Sequence, residues 1–210
     1  MNFLKRLEYK IKFIKVKRQA KENQKKLQKI YNETGADFLG HINNDTLGTD
    51  KVNGHAYEAS FEMPNILANL KIKDSDTLID VGCGKGYILY LFSKLPFSLV
   101  DGIEYNKELC DIAQKNIEIL FNDKNRYNIY CGDARNFNYD KYNYFFLSNP
   151  FNEEGTFEFL QTLKKSIANH PRDIFLIYQF PTHLKLFTAD NTFRLAVVSD
   201  GCAILKHDCK

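Results

Sequence analysis

The sequence has no apolar run long enough to cross a bilayer and no Cys-x-x-Cys pair. The first absence excludes a membrane-spanning helix, which needs about 20 predominantly apolar residues in a row. The second argues against a structural zinc site or a disulfide framework, because the five cysteines (Cys83, Cys110, Cys131, Cys202 and Cys209) are odd in number and lack ligand spacing. No metal site is expected. There is no internal repeat. The N-terminus is charged throughout and lacks the apolar core and small-residue cleavage site of a secretory signal, so a cytoplasmic setting is expected.

A large excess of either charge is also lacking, with a net of +3, but the balance hides an asymmetry. Residues 1–30 hold eleven Lys or Arg against Glu8 and Glu22, a net of +9 that leaves −6 on the remaining 180 residues. Within that basic stretch Leu4, Leu7, Ile11 and Ile14 recur at three- and four-residue steps, which predicts a basic amphipathic helix from Phe3 to about Ile30. Such a helix suits an anionic membrane surface, a nucleic-acid arm, an acidic partner, or simple packing on its own domain or on a second copy in a homodimer. At 210 residues the chain has room for one domain with a full core and an accessory segment. The expected division is residues 1–53 as basic helix and lid or linker, and 54–210 as the main domain.

The informative stretch is Thr77 to Glu104. Thr77–Val81 is a short apolar strand interrupted by Asp80, then comes Gly82-Cys83-Gly84-Lys85-Gly86, and from Tyr87 to Ser93 the apolar spacing becomes helical. A second strand, Ser98 to Ile103, ends in Glu104, 24 residues beyond Asp80. An acid at the tip of the second strand, about 20 residues past a glycine turn, is the ribose-binding arrangement of nucleotide-binding βαβ units. The glycines let a ligand approach the backbone. A dinucleotide site would want a glycine where Tyr87 stands and would not want a carboxylate at Asp80, which repels phosphate but suits an ammonium or sulfonium ligand. A nicotinamide dehydrogenase is therefore disfavoured.

These residues resemble the first motif of the class I S-adenosylmethionine-dependent methyltransferases. The resemblance implies that Asp80, Gly82, Gly84 and Gly86 meet the amino-acid end of S-adenosylmethionine, that Glu104 holds its ribose, and that Asp133 after the third strand, with Ala134 beside it, meets the adenine. Upstream, Tyr57 to Phe61 is similar in part to the segment before the glycine motif in the non-SET histone-lysine methyltransferases, which implies Tyr57 as a further cofactor contact. After the fourth strand, Tyr142 to Ser148, the tripeptide Asn149-Pro150-Phe151 resembles the Asn-Pro-Pro-(Tyr/Phe) motif of methyltransferases acting on nitrogen, with one proline fewer. It implies that the acceptor donates to the Asn149 side chain and a carbonyl near Pro150, while the Phe151 ring stacks on a ring or faces a cation.

The rest of the chain fits an α/β fold, a doubly wound, mostly parallel seven-stranded sheet that closes on an antiparallel hairpin. Helices are predicted over Phe61–Leu70, Lys107–Phe121, Phe157–Ile167 and, briefly, from Pro181 to Phe187. Strands are predicted over Tyr127–Tyr130, Asp173–Gln179, Phe193–Val198 and Cys202–Lys206, the last two joined by Ser199-Asp200-Gly201. Tyr31 to Asn53 reads as an irregular linker or lid. The expected activity is methyl transfer to an unidentified acceptor, nitrogen favoured. The alternatives are O-methylation of a glycan or small metabolite, with His55 or His183 as base, and a non-catalytic cofactor-binding scaffold.

Overall fold

The computed structural model describes residues 21–40, 70–123, 125–199 and 201–209. The readings placed on His55, Tyr57, Ser60, the lid beyond residue 40 and a helix from Phe61 lie outside them. Residues 21–34 form a helix, α1. The main domain then runs β1 (Thr77–Val81), α2 (Tyr87–Phe92), β2 (Leu99–Glu104), α3 (Lys107–Leu120) and β3 (Ile129–Cys131). A 3-10 turn (Ala134–Asn136) leads to β4 (Tyr144–Ser148), α4 (Glu153–Asn169), β5 (Ile174–Gln179), α5 (Leu184–Thr188), β6 (Arg194–Ser199) and β7 (Cys202–His207).

The seven strands form one sheet in the order β3-β2-β1-β4-β5-β7-β6, with β7 antiparallel to both of its neighbours and the other pairings parallel. Strand order therefore reverses between β1 and β4, which is where a doubly wound sheet opens a crevice at the carboxyl ends of its strands. Both faces are covered, so the central strands are largely apolar, with Asp80 in β1 and Asp101 in β2 as exceptions, and sort their side chains by alternation. In β4, Phe145 and Leu147 join the cluster under α4 while Tyr144 and Phe146 join the one under α2 and α3. Each fully buried ring of this kind contributes about 1.5–3 kcal/mol.

Two elements differ from the sequence reading. Helix α4 begins at Glu153, four residues before Phe157, because Asn152 caps it by accepting from the Gly155 N–H at 2.9 Å and Glu153 and Glu154 complement the helix start. Those first residues are polar or small and so carry no apolar period. Residues 31–34 are helical rather than irregular, and the chain turns at Gly35, φ +82°. Ala36 and Phe38 are then buried against Leu27 and Tyr87 in a third cluster outside α2. Tyr31 to Gly40 offered no periodicity because only Ala36, Phe38 and, in part, Leu39 make this contact.

Candidate active site

The glycine loop leaves β1 in a chain of left-handed residues, Gly82 (φ +78°), Gly84 (φ +53°) and Gly86 (φ +80°), a conformation that side chains other than glycine resist. The turn is held by the Gly82 and Cys83 N–H groups, which both donate to the Ile103 carbonyl at 2.9 and 3.0 Å, and by Gly86 donating to Cys83 at 2.9 Å. Cys83 is packed down on β2, where a Cβ on Gly102 would lie 2.7 Å from its Sγ. Burial, with Asp80 and Glu104 nearby, pushes its thiol well above the ordinary range, so it is a packing residue and not a nucleophile.

Two carboxylates meet beneath this loop. Asp80 is 2 % exposed and, among the described residues, its Oδ2 has no hydrogen-bond partner. Burial, and next the charge of Glu104, holds its carboxyl well above the usual range. A buried carboxylate oxygen without a partner fits a cationic ligand group that would supply both the missing hydrogen bond and the compensating charge. Glu104 is fixed differently: Oε2 accepts from the Gly84 N–H and Oε1 from the Asn106 N–H, each at 2.9 Å. Burial raises its pKa while those N–H groups oppose the rise. Each oxygen keeps further lone-pair capacity, so a pinned carboxylate of this kind can still accept two hydroxyls.

At the end of β3, Asp133 caps the 3-10 turn and receives Arg135 through Nε at 2.9 Å and Nη2 at 2.7 Å. Arg135 reaches on to Glu158 of α4 at 2.9 Å. Partial burial of Asp133 is outweighed by these bonds, so its carboxyl titrates below the usual value. Ala134 is buried in the core and its carbonyl accepts from the Tyr139 hydroxyl. The acid expected at the adenine is thus already engaged by an arginine two residues on.

The Asn149-Pro150-Phe151 turn follows β4 directly and lies against the glycine loop: a Cβ on Gly82 would be 2.9 Å from Pro150 Cβ. Asn149 has φ +50°, and its Oδ1 accepts from the Tyr178 hydroxyl of β5 at 3.2 Å. Tyr178 in turn accepts from the His183 N–H at 3.4 Å. The Phe151 ring does not face outward as its motif suggested. It is buried and stacked on Phe159, 5.8 Å between centroids, because the chain dips into the core before α4.

Three contacts had no sequence signal. Lys85, inside the glycine loop, is buried, and its Nζ donates to Asp37 at 2.9 Å and to the Leu39 carbonyl. Asn116 of α3 donates through Nδ2 to the carbonyls of both Asp37 and Lys85 at 2.9 Å and accepts from the Asp37 N–H at 2.7 Å. Tyr178 is the third. Each pairs residues 29 to 79 positions apart, beyond the reach of local pattern. Among the described residues no group of His, Cys, Asp or Glu is arranged to hold a metal ion.

The sequence profile of the protein-L-isoaspartate(D-aspartate) O-methyltransferase family matches residues 48–145, just under half of the chain. Among solved structures, a SAM-dependent methyltransferase from Aquifex aeolicus superposes with a TM-score of 0.54 at 17 % identity, covering 69 % of this chain and 87 % of that one. The chain has the fold of the class I methyltransferases. A protein of the NADB-Rossmann superfamily from Streptococcus agalactiae superposes on this chain with a TM-score of 0.54 at 12 % identity, covering 75 % of this chain and 72 % of that one. A point mutant of MtNAS in complex with S-adenosylmethionine gives 0.52 at 16 % identity, covering 70 % of this chain and 60 % of that one. No curated protein matches the sequence. Among the described residues, no helix is long and apolar enough to cross a membrane.

Proposed function

We propose that the chain transfers a methyl group from S-adenosylmethionine to a nitrogen atom of its acceptor. The observation that carries this reading is the contact between Gly82 and Pro150, which sets the donor loop directly against an asparagine turn. When bound, the cofactor supplies a sulfonium-activated methyl group with a neutral thioether as leaving group. The chain's task is then binding, alignment and removal of one proton.

Asp80 holds the cofactor's ammonium through its unpartnered Oδ2, and Glu104 holds the ribose hydroxyls on its remaining lone pairs. Gly82, Gly84 and Gly86 keep the loop free of side chains where the ligand approaches. Asn149 Oδ1, oriented by the Tyr178 hydroxyl, accepts an N–H of the acceptor, turning the nitrogen lone pair toward the donor. The proton leaves the nitrogen for solvent as the new N–C bond forms.

The profile match carries the name of an O-methyltransferase family, but it ends at residue 145, four residues before Asn149. It therefore bears on the donor half of the site, and the nitrogen preference rests on the turn that follows. Calorimetric titration of S-adenosylmethionine and S-adenosylhomocysteine tests the donor half, with Asp80→Ala and Glu104→Ala expected to lose binding. Methyl transfer from labelled cofactor to amine and hydroxyl acceptors, with wild type and Asn149→Ala, tests the other half. Full activity in Asn149→Ala, or label on oxygen alone, would remove the nitrogen assignment.

A further inference from the structure

Strands β4 and β5 end in the same way. Ser148 and Gln179 are partners in the parallel register, and the Ser148 hydroxyl donates to Gln179 Oε1 at 3.1 Å. The next residue of each strand is left-handed, Asn149 at φ +50° and Phe180 at φ +49°. For asparagine this backbone is ordinary, whereas an aromatic residue rarely adopts it and must be held there. Phe180 is held from both sides. Its N–H donates to the Gly201 carbonyl at 2.7 Å, and its carbonyl accepts from the Thr182 N–H at 2.7 Å. Its ring lies over Gly201, where a Cβ would sit 3.8 Å from two ring carbons. The β6–β7 turn thus fixes the backbone of Phe180 and supports one side of its ring.

Despite this restraint the ring is 50 % exposed, while the aromatic that the motif offered, Phe151, is buried. A strained backbone that keeps an apolar ring in solvent gains nothing for the core, and strain of this kind collects at ligand sites. We infer that Phe180 is the acceptor-binding aromatic of this site, and that the acceptor nitrogen belongs to a flat heteroaromatic ring or its exocyclic amine, stacked on Phe180 while Asn149 takes its N–H. This rests on the nitrogen-transfer reading above. An alkylammonium acceptor would be matched by a carboxylate. At the two strand ends the residues are instead Ser148, Asn149, Gln179 and Phe180, none of them acidic, and the next acids along the chain from β4, Glu153 and Glu154, stand exposed in the first turn of α4. A neutral planar group with a π face and an N–H suits that set.

The probe is 2-aminopurine riboside, whose fluorescence is quenched on stacking, titrated into the full chain with and without saturating S-adenosylhomocysteine. Wild type should quench it saturably. Phe180→Gly removes the ring yet suits the left-handed backbone, so its thermal midpoint should equal or exceed wild type while probe affinity falls at least tenfold. Phe180→Tyr should stay within threefold of wild type, and Phe157→Ala, an equally exposed ring on α4, should leave the titration unchanged. Unquenched probe with wild type, or unchanged affinity in Phe180→Gly, overturns the inference. Calorimetric cofactor binding is read separately. If the cofactor binds and the probe ignores Phe180, the acceptor inference fails alone, whereas failure of the cofactor to bind removes the methyltransferase reading beneath it.

Discussion

At the scale of single residues, the site contains a deliberate instability. Asp80 is buried with an oxygen that lacks a partner, and its carboxyl holds a proton more tightly in the folded chain than in the unfolded one. Folded protein therefore binds more protons over the window between the ordinary aspartate value and the raised one, and stability falls as pH rises through that window. Asp80→Asn, which carries no charge to desolvate, should unfold at a higher temperature than wild type at neutral pH without cofactor. About 2–4 °C is expected for each kcal/mol recovered. The same variant should lose cofactor affinity, and wild type should release protons on binding S-adenosylmethionine, seen as a buffer-dependent calorimetric enthalpy. A lower midpoint for Asp80→Asn would contradict this account.

Tyr178 makes a second prediction at this scale. Its hydroxyl bonds Asn149 Oδ1 from a strand that otherwise serves the core, and so fixes how the amide presents itself. A net hydrogen bond of about 0.5–1.5 kcal/mol corresponds to roughly a three- to tenfold change. Tyr178→Phe is expected to reduce kcat by that factor while the calorimetric cofactor Kd stays within twofold. A matching loss of cofactor affinity would show that the hydroxyl serves the fold at large instead of the amide.

At the scale of elements, the strands and helices of the main domain were legible because their physics is local. Strand β1 and the start of α2 coincide with the sequence reading, since an apolar run, three glycines and a switch from period two to helical spacing all fall within ten residues. Boundaries moved where a polar cap began the helix, as at Asn152. The docking of Ala36 and Phe38 was not legible at all. It depends on a lysine in the glycine loop and an asparagine on α3, and neither residue type signals burial. Lys85→Met, which keeps length and loses the ammonium, leaves Asp37 and the Leu39 carbonyl without their donor, and Asn116→Ala strips three backbone groups of theirs. Each should cost about 1–3 kcal/mol in urea unfolding, with faster amide exchange at Leu39 and Ala36 in both variants. Unchanged exchange there would show that the apolar contact of Phe38 alone suffices.

The left-handed turn at Phe180 was equally hidden, because phenylalanine carries no preference for that backbone, whereas glycines at 82, 84 and 86 announce theirs. The same contrast runs through the acceptor side. Asn149 and Pro150 stand in a motif that is read locally, whereas the burial of Phe151 and the arginine bound to Asp133 depend on packing across α4.

At the scale of the whole molecule, charge is divided along the chain as sharply as function is divided across the sheet. Residues 1–20 hold seven Lys or Arg against Glu8, so the chain without them passes from a net of +3 to −3. Asp37 and Leu39, which such a chain retains, receive the Lys85 ammonium of the glycine loop. A chain beginning at residue 21 should therefore bind S-adenosylmethionine within twofold of the full chain. It should fail to sediment with phosphatidylserine vesicles at low salt, where the full chain is retained and is released as ionic strength rises. Equal sedimentation of both chains would take the membrane surface off the account of this segment.

The contact of Gly82 with Pro150 reaches beyond binding. One residue belongs to the half that takes the donor and the other to the half that chooses the acceptor, and a Cβ on the first would collide with the ring of the second. The two positions are therefore not free to drift apart in descent. Every residue but glycine carries a Cβ, and Gly82 is left-handed at φ +78°, so position 82 stays glycine whatever side chain residue 150 takes on, and the asparagine turn can be rebuilt only beyond that Cβ.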